Sequence, residues 1–178
     1  MIGLPKDVHK AKAPQRVSFV LITVSTSRFI QSQRGKKVED LSGDIMENIV
    51  KKSNYKILSR HLIPDSEEYI VKILEKYAGN VDVILFSGGT GISKSDITPD
   101  VVSKYAEKEI PGFGELFRYL SFREIGLAAM LSRASAYIVK GTLVFCLPGS
   151  PHAVKLALEK LILPEISHIV YHLRESSC

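Results

Sequence analysis

The chain has 178 residues, 45% hydrophobic and 24% charged, with a formal net charge of +5 and two cysteines. That much apolar material can bury a full core in a single domain, and no apolar run approaches the roughly 18 residues that span a bilayer. Two cysteines exclude a disulfide framework or a thiolate metal centre, so Cys146, inside an apolar run, reads as a small core hydrophobe.

Residues 1–15 read as a flexible basic tail, with Lys6, Lys10 and Lys12 against Asp7 and Arg16 just beyond. With Arg16 counted, the first sixteen residues carry +3 of the net +5, so the expected single domain over 16–178 has only a small net charge. It carries no base-reading motif, and neither nucleic acid nor membrane is an expected partner. The polar start lacks a signal-peptide core, which makes the cytoplasm the expected location.

Residues 17–24 are a continuous β-branched apolar run, the pattern of a strand buried on both faces. Residues 25–40 are expected as a long polar loop with Arg28, Arg34, Lys36 and Lys37. Ser42 is the expected cap of a helix whose inner face holds Ile45, Ile49 and Val50. Residues 55–62 form a second strand. A second helix follows with Ile70, Ile73, Leu74 and Tyr77 on one face, and it stops near Gly79-Asn80. At its start Asp65-Ser66-Glu67-Glu68 also reads as a capping box, which would make Asp65 a structural residue.

The third strand, residues 81–86, runs into Ser87-Gly88-Gly89-Thr90-Gly91 and then Asp96. Glycines after a strand let backbone N–H groups approach an anion, and a carboxylate beside that anion calls for a metal or a proton. The loop is neither the dinucleotide fingerprint nor a P-loop: Lys94 stands at the third glycine position, and Ser93 precedes Lys94-Ser95. Thr98 then reads as an N-cap with Pro99 in the first turn. Residues 113–122 form an amphipathic segment rich in aromatics. Residues 136–139 and 142–147 pair as a hairpin through Lys140-Gly141. After Pro148-Gly149, Ser150 and Pro151 start a helix with Val154, Leu158 and Leu161 inward.

Strands alternating with helices imply an α/β fold, a three-layer α/β/α domain with a mostly parallel mixed sheet and one antiparallel hairpin. The polar loops at 25 onward, 64–65, 88–96 and 148–150 would then meet along one sheet edge, where ligands bind.

The glycine loop with Asp96-Ile97-Thr98-Pro99-Asp100 resembles the signature of the molybdenum-cofactor proteins MoaB and MogA. So do Pro111-Gly112-Phe113-Gly114-Glu115, Leu131-Ser132-Arg133 and Leu147-Pro148-Gly149-Ser150. Residues 117–126 look like the MoaB branch. The resemblance implies a molybdopterin-binding fold and a molybdopterin adenylyltransferase, in which Mg-ATP donates AMP to the terminal phosphate of molybdopterin and pyrophosphate leaves. It implies Mg2+ as cofactor, ATP as co-substrate and no tightly bound organic cofactor. Asp65 and Asp96 become the catalytic and magnesium-binding acids. Ser25, Asp40, Ser42, Gly43, Ser87, Gly88, Gly89, Thr90, Gly91, Ser132, Pro148, Gly149 and Ser150 become the substrate and nucleotide contacts. The family also implies a homotrimer, or a hexamer built from two, with residues 113–122 near a subunit contact, and other cofactor-synthesis proteins as further partners.

One departure is visible: MogA-like chains often carry an Asp just after the first strand's Ser, where this chain has Ser25-Thr26-Ser27. A catalytically silent carrier of the same pathway is the alternative reading. A nicotinamide-nucleotide or ADP-ribose hydrolase ranks below both, because Ile92-Ser93-Lys94-Ser95-Asp96 lacks the Gly-Pro-Thr and paired aspartates of those proteins. Arg28, Arg34, Lys36, Lys37 and Lys94 could draw in phosphates, but loop lysines are usually solvated and none of the five joins the catalytic set; His168 with His172 read as surface residues lacking a third ligand.

Overall fold

The computed structural model describes residues 17–175; the basic tail expected over 1–15, and Cys178, lie outside them. Six strands form one sheet: β1 (Ser18–Val24), β2 (Lys56–Ile63), β3 (Val83–Ser87), β4 (Lys108–Glu109), β5 (Ser135–Val139) and β6 (Thr142–Leu147). Their order is β2-β1-β3-β6-β5-β4. The first four run parallel, with Leu21 opposite Leu85 and Leu85 opposite Phe145. The β5–β6 hairpin is antiparallel, as expected, and the two-residue β4 adds a second antiparallel pair that its polar sequence concealed. Lys140 (φ 49) and Gly141 (φ 72) both take the positive φ that a tight hairpin turn demands.

Seven helices flank the sheet: α1 (Thr26–Gln33), α2 (Leu41–Lys52), α3 (Glu67–Tyr77), α4 (Thr98–Lys104), α5 (Pro111–Ile125), α6 (Pro151–Ala157) and α7 (Leu163–Glu175). The strand period of two divides the apolar side chains between two cores. Phe19, Leu21, Leu85 and Phe145 pack on Met46, Phe117, Val154 and Ile166 on one side. Val20, Ile22, Phe86 and Cys146 pack on Ile70, Leu74 and Val102 on the other. The expected three layers are present. Burial pushes the Cys146 thiol up to about 12, which leaves it an inert core group.

Four local expectations need correction. The loop expected over 25–40 contains α1, which buries no side chain and therefore lacks the apolar period that would have announced it. The cap of α2 is Asp40 rather than Ser42: its carboxylate accepts from the Gly43 amide at 3.1 Å, while Ser42 lies buried in the first turn. Ile97, not Thr98, is the residue preceding α4, and the Thr98 hydroxyl is buried without a partner. The helix expected after Pro151 is interrupted by a π-helical turn at Leu158–Ile162, while Leu161, though partly exposed, packs against the core as expected. Ser150 does cap α6, accepting from the Ala153 amide at 3.2 Å.

Candidate active site

The C-terminal ends of β1, β2, β3 and β6 open into one cavity of about 810 Å³. Parallel strands bring it about, because all four chains turn away from the sheet at the same edge. Ser25, Asp65, Gly88, Gly89, Thr90, Gly91, Asp96, Ser132, Pro148, Gly149 and Ser150 all line it. Asp40, Ser42, Gly43 and Ser87 do not. Ser87 is fully buried, and its hydroxyl donates to the Pro148 carbonyl at 3.3 Å. Asp40 is tied instead to Arg60 at 2.7 Å and to the Thr23 hydroxyl at 2.8 Å, beneath the start of α2. Although burial works the other way, those bonds and the Gly43 amide hold its carboxyl below the ordinary value.

The glycine loop is shaped by crowding. Gly88 (φ +119) presses on the Val24 carbonyl, where a Cβ would come within 2.2 Å. Gly89 (φ +65) is pressed equally hard against the Thr98 hydroxyl, at 2.3 Å from the same hypothetical atom. Both positions exclude a side chain, so the loop offers backbone to the cavity.

Asp65 does not cap α3; the residue at that position is Ser66, and it makes no side-chain cap bond. The Asp65 Oδ2 accepts from the Thr26 amide at 3.0 Å and from the Thr26 hydroxyl at 2.8 Å. Its Oδ1 makes no hydrogen bond within the described residues and faces Gly89, 3.1 Å from where a Cβ would stand.

Asp96 has a structural task that the sequence did not show. Its Oδ2 accepts from the Ser93 amide at 2.9 Å and the Ser93 hydroxyl at 2.6 Å, closing the far end of the loop on itself. The Ser93 hydroxyl above all, then the amides of Ser93 and Gly91 and the charge of Arg133, lower its pKa against the opposing effect of burial.

Three contributors were not singled out from sequence. Thr26 holds Asp65. Arg133 donates to the Gly91 carbonyl at 2.8 Å, to the Asp96 carbonyl, and to both Asp100 oxygens at 2.8 Å, while its own amide reaches the Thr90 carbonyl at 3.0 Å. It therefore braces the glycine loop from behind; its place in the Leu131-Ser132-Arg133 motif was the only available signal. The third is an apolar wall including Phe117, Ile125, Ala129 and Leu131, which faces the polar loops across the cavity.

The charged groups on the lining are Asp65, Asp96 and Arg28. Among the described residues no group of three or more His, Cys, Asp or Glu could hold a metal ion, and His168 lies against His172 at 2.8 Å and Glu165 at 3.3 Å. No helix of the described residues is long and apolar enough to cross a membrane.

Comparison with known proteins agrees with this layout. Residues 20–168 match the family described as "Probable molybdopterin binding domain". The "Molybdenum cofactor biosynthesis protein B" of Bacillus cereus is 42% identical over 168 residues, covering 93% of this chain and 95% of that protein. The "Probable molybdopterin adenylyltransferase" of Methanocaldococcus jannaschii is 41% identical over 166 residues, covering 92% and 98%. Among solved structures, the tungsten cofactor synthesizing protein MoaB of Pyrococcus furiosus superposes with a TM-score of 0.79 at 36% identity, covering 91% of this chain and 99% of that one.

Proposed function

The chain belongs to the molybdopterin-binding family of cofactor-synthesis proteins, and on that premise we propose that it is a nucleotidyltransferase that adenylylates molybdopterin with ATP. In this reaction a terminal phosphate oxygen of the pterin substrate forms a bond to the α-phosphorus of ATP. The bond between the α-phosphorus and its bridging oxygen breaks, and pyrophosphate leaves with that oxygen.

The observation that carries the reading is the Asp65 carboxylate, held by Thr26 with Oδ1 turned toward the glycine loop inside a cavity bounded by four strand ends. The backbone of residues 88–91 would receive phosphate oxygens, since no side chain can intervene at Gly88 or Gly89. The apolar wall of Phe117, Ile125 and Leu131 suits a flat ring.

Magnesium fits this donor set. Magnesium is commonly bound by one or two carboxylates completed by substrate phosphates and water, and the cavity offers two carboxylates, one with an oxygen free of other bonds. Asp65 and Asp96 would hold it, and the chemistry supplied is charge neutralisation at the phosphate oxygens. Asp65 sets the position of that charge through Thr26; Asp96 sets it through its closure of the loop.

The proposal extends to assembly and location. Leu116, Tyr119, Phe122, Ile125, Leu127, Met130 and Leu131 are all at least half exposed along α5 and the 3-10 turn after it, and Leu127 and Met130 reach 75%. A ridge of that size suits a subunit contact of a trimer-based homo-oligomer. The cytoplasm, where ATP is abundant, is the expected place of work. Incubating the protein with molybdopterin, ATP and magnesium should yield adenylated pterin; tight binding of both ligands without product would favour the silent-carrier alternative.

A further inference from the structure

Residues 28–37 and Lys94 supply several cations that sequence alone treats alike, and the structure separates one from the rest. Arg34, Lys36, Lys37 and Lys94 are absent from the cavity lining, whereas Arg28, in the first turn of α1, is on it. Arg28 is half-buried, yet it makes no hydrogen bond or ion pair with any described residue. Arg60, Arg118, Arg133 and Arg174 are each engaged by carboxylate or carbonyl oxygens. Among the described residues, Arg28 is thus the one cation on a lining whose other charges are Asp65 and Asp96.

A polyanion entering that cavity meets two carboxylates, and a single guanidinium there is worth more than on an open surface because it is partly desolvated. A guanidinium left half-buried without an acceptor is in turn stabilised by an incoming oxyanion, which it can hold through two parallel N–H···O bonds. We infer that Arg28 anchors a substrate phosphate in this cavity, a role that rests on the adenylyl-transfer reading. Two phosphates share that chemistry: the triphosphate of ATP and the terminal phosphate of molybdopterin.

The test is calorimetric titration of the full chain, wild type, Arg28→Gln and Arg28→Lys, with Mg-ATP and separately with molybdopterin. Because α1 buries no side chain, both variants should melt like the wild type. Arg28→Gln should weaken one ligand roughly ten- to hundredfold, the range for a hydrogen bond to a charged group. Arg28→Lys should keep a larger share of the affinity, and the difference should shrink as salt is raised. A loss on the ATP arm assigns Arg28 to the nucleotide, and a loss on the molybdopterin arm assigns it to the pterin phosphate; either upholds the inference. Wild-type affinity for both ligands in Arg28→Gln would overturn it. A wild-type protein that bound neither ligand would instead contradict the adenylyl-transfer reading itself.

Discussion

Thr26 and Asp65 clasp each other across the loops that follow β1 and β2. The Thr26 amide and hydroxyl both donate to Asp65 Oδ2, at 3.0 and 2.8 Å, and the Asp65 amide donates back to the Thr26 hydroxyl at 3.0 Å. The clasp leaves one carboxylate oxygen for the cavity and fixes its direction. Asp65 is thus oriented by neutral donors rather than faced by a second negative charge.

Replacing Thr26 with Val keeps the shape and removes the hydroxyl. Adenylylation by that variant should fall roughly tenfold, because a carboxylate freed to rotate is misplaced for much of the time. Its melting temperature should stay close to wild type, since Thr26 is exposed. Thr26→Ser should recover most of the activity; a Val variant with full turnover would show that the clasp has no part in orienting Asp65.

Asp65→Asn should cost roughly 10² or more in rate, the usual effect of removing one important electrostatic contact. Were Asp65 merely a structural tie to Thr26, its loss would cost about 1 kcal/mol of stability and little activity. Parallel melting curves and activity assays separate the two.

Asp96 and Arg133 should behave differently from Asp65, because they hold the loop together. Arg133→Met removes bonds to Gly91, Asp96 and Asp100 at once, so amide exchange across residues 88–96 should accelerate while the sheet stays protected. Lysine should not rescue it, since a single ammonium cannot reproduce the fork. Gly91→Ala belongs with this group: its Cβ would meet the Asp96 carboxylate at 2.8 Å, so the expected damage comes through the loop brace rather than through a blocked phosphate site. Unchanged exchange in Arg133→Met would remove the brace from the account.

Acid should unfold the protein through three carboxylates. Asp40, Asp82 and Asp96 are each held below the ordinary 3.8. Burial opposes the shift at Asp40 and Asp82, but Arg60 with Thr23 and Gly43 prevails at the first, and Ser18 with Arg174 at the second. Groups with lowered native values contribute stability above their unfolded value and lose it as pH falls through the native one. Melting temperature should therefore hold from neutral pH to about pH 5 and drop steadily below 4, less steeply in Asp40→Asn. A flat profile down to pH 2 would contradict this.

The ridge along α5 makes a prediction of its own. Light scattering of the wild type should give a mass of a trimer or a multiple of it, and Leu127→Asp with Met130→Asp should lower that mass, since both side chains are 75% exposed. A wild-type mass near 19.8 kDa would rule the assembly out.

The parts of this fold legible in sequence are those carried by period and by turn chemistry. Residues 19–22 and 143–147 are apolar without a break because the sheet is covered on both faces, and Lys140-Gly141 reads as a tight turn. The convergence of Asp65, the glycine loop and Pro148-Gly149 at one edge followed from parallel connection alone. What escaped was carried by contacts between distant residues. Helix α1 buries nothing and so leaves no pattern; Asp40 displaces Ser42 as cap because Arg60, on another strand, holds it there. Arg133 looks like any surface arginine until the glycine loop folds back over it, and Arg28 like any loop cation until the first turn of α1 sets it on the cavity lining.

Adenylyl transfer is tested most directly by following label from ATP into molybdopterin in the presence of magnesium. With the label on the α-phosphate, the account expects it to appear in the pterin product in wild type and to be nearly absent with Asp65→Asn. With the label on the γ-phosphate, it expects all of it in pyrophosphate and none in the pterin. Transfer of the γ-label to molybdopterin, or no transfer of either label while both ligands are bound, would contradict it.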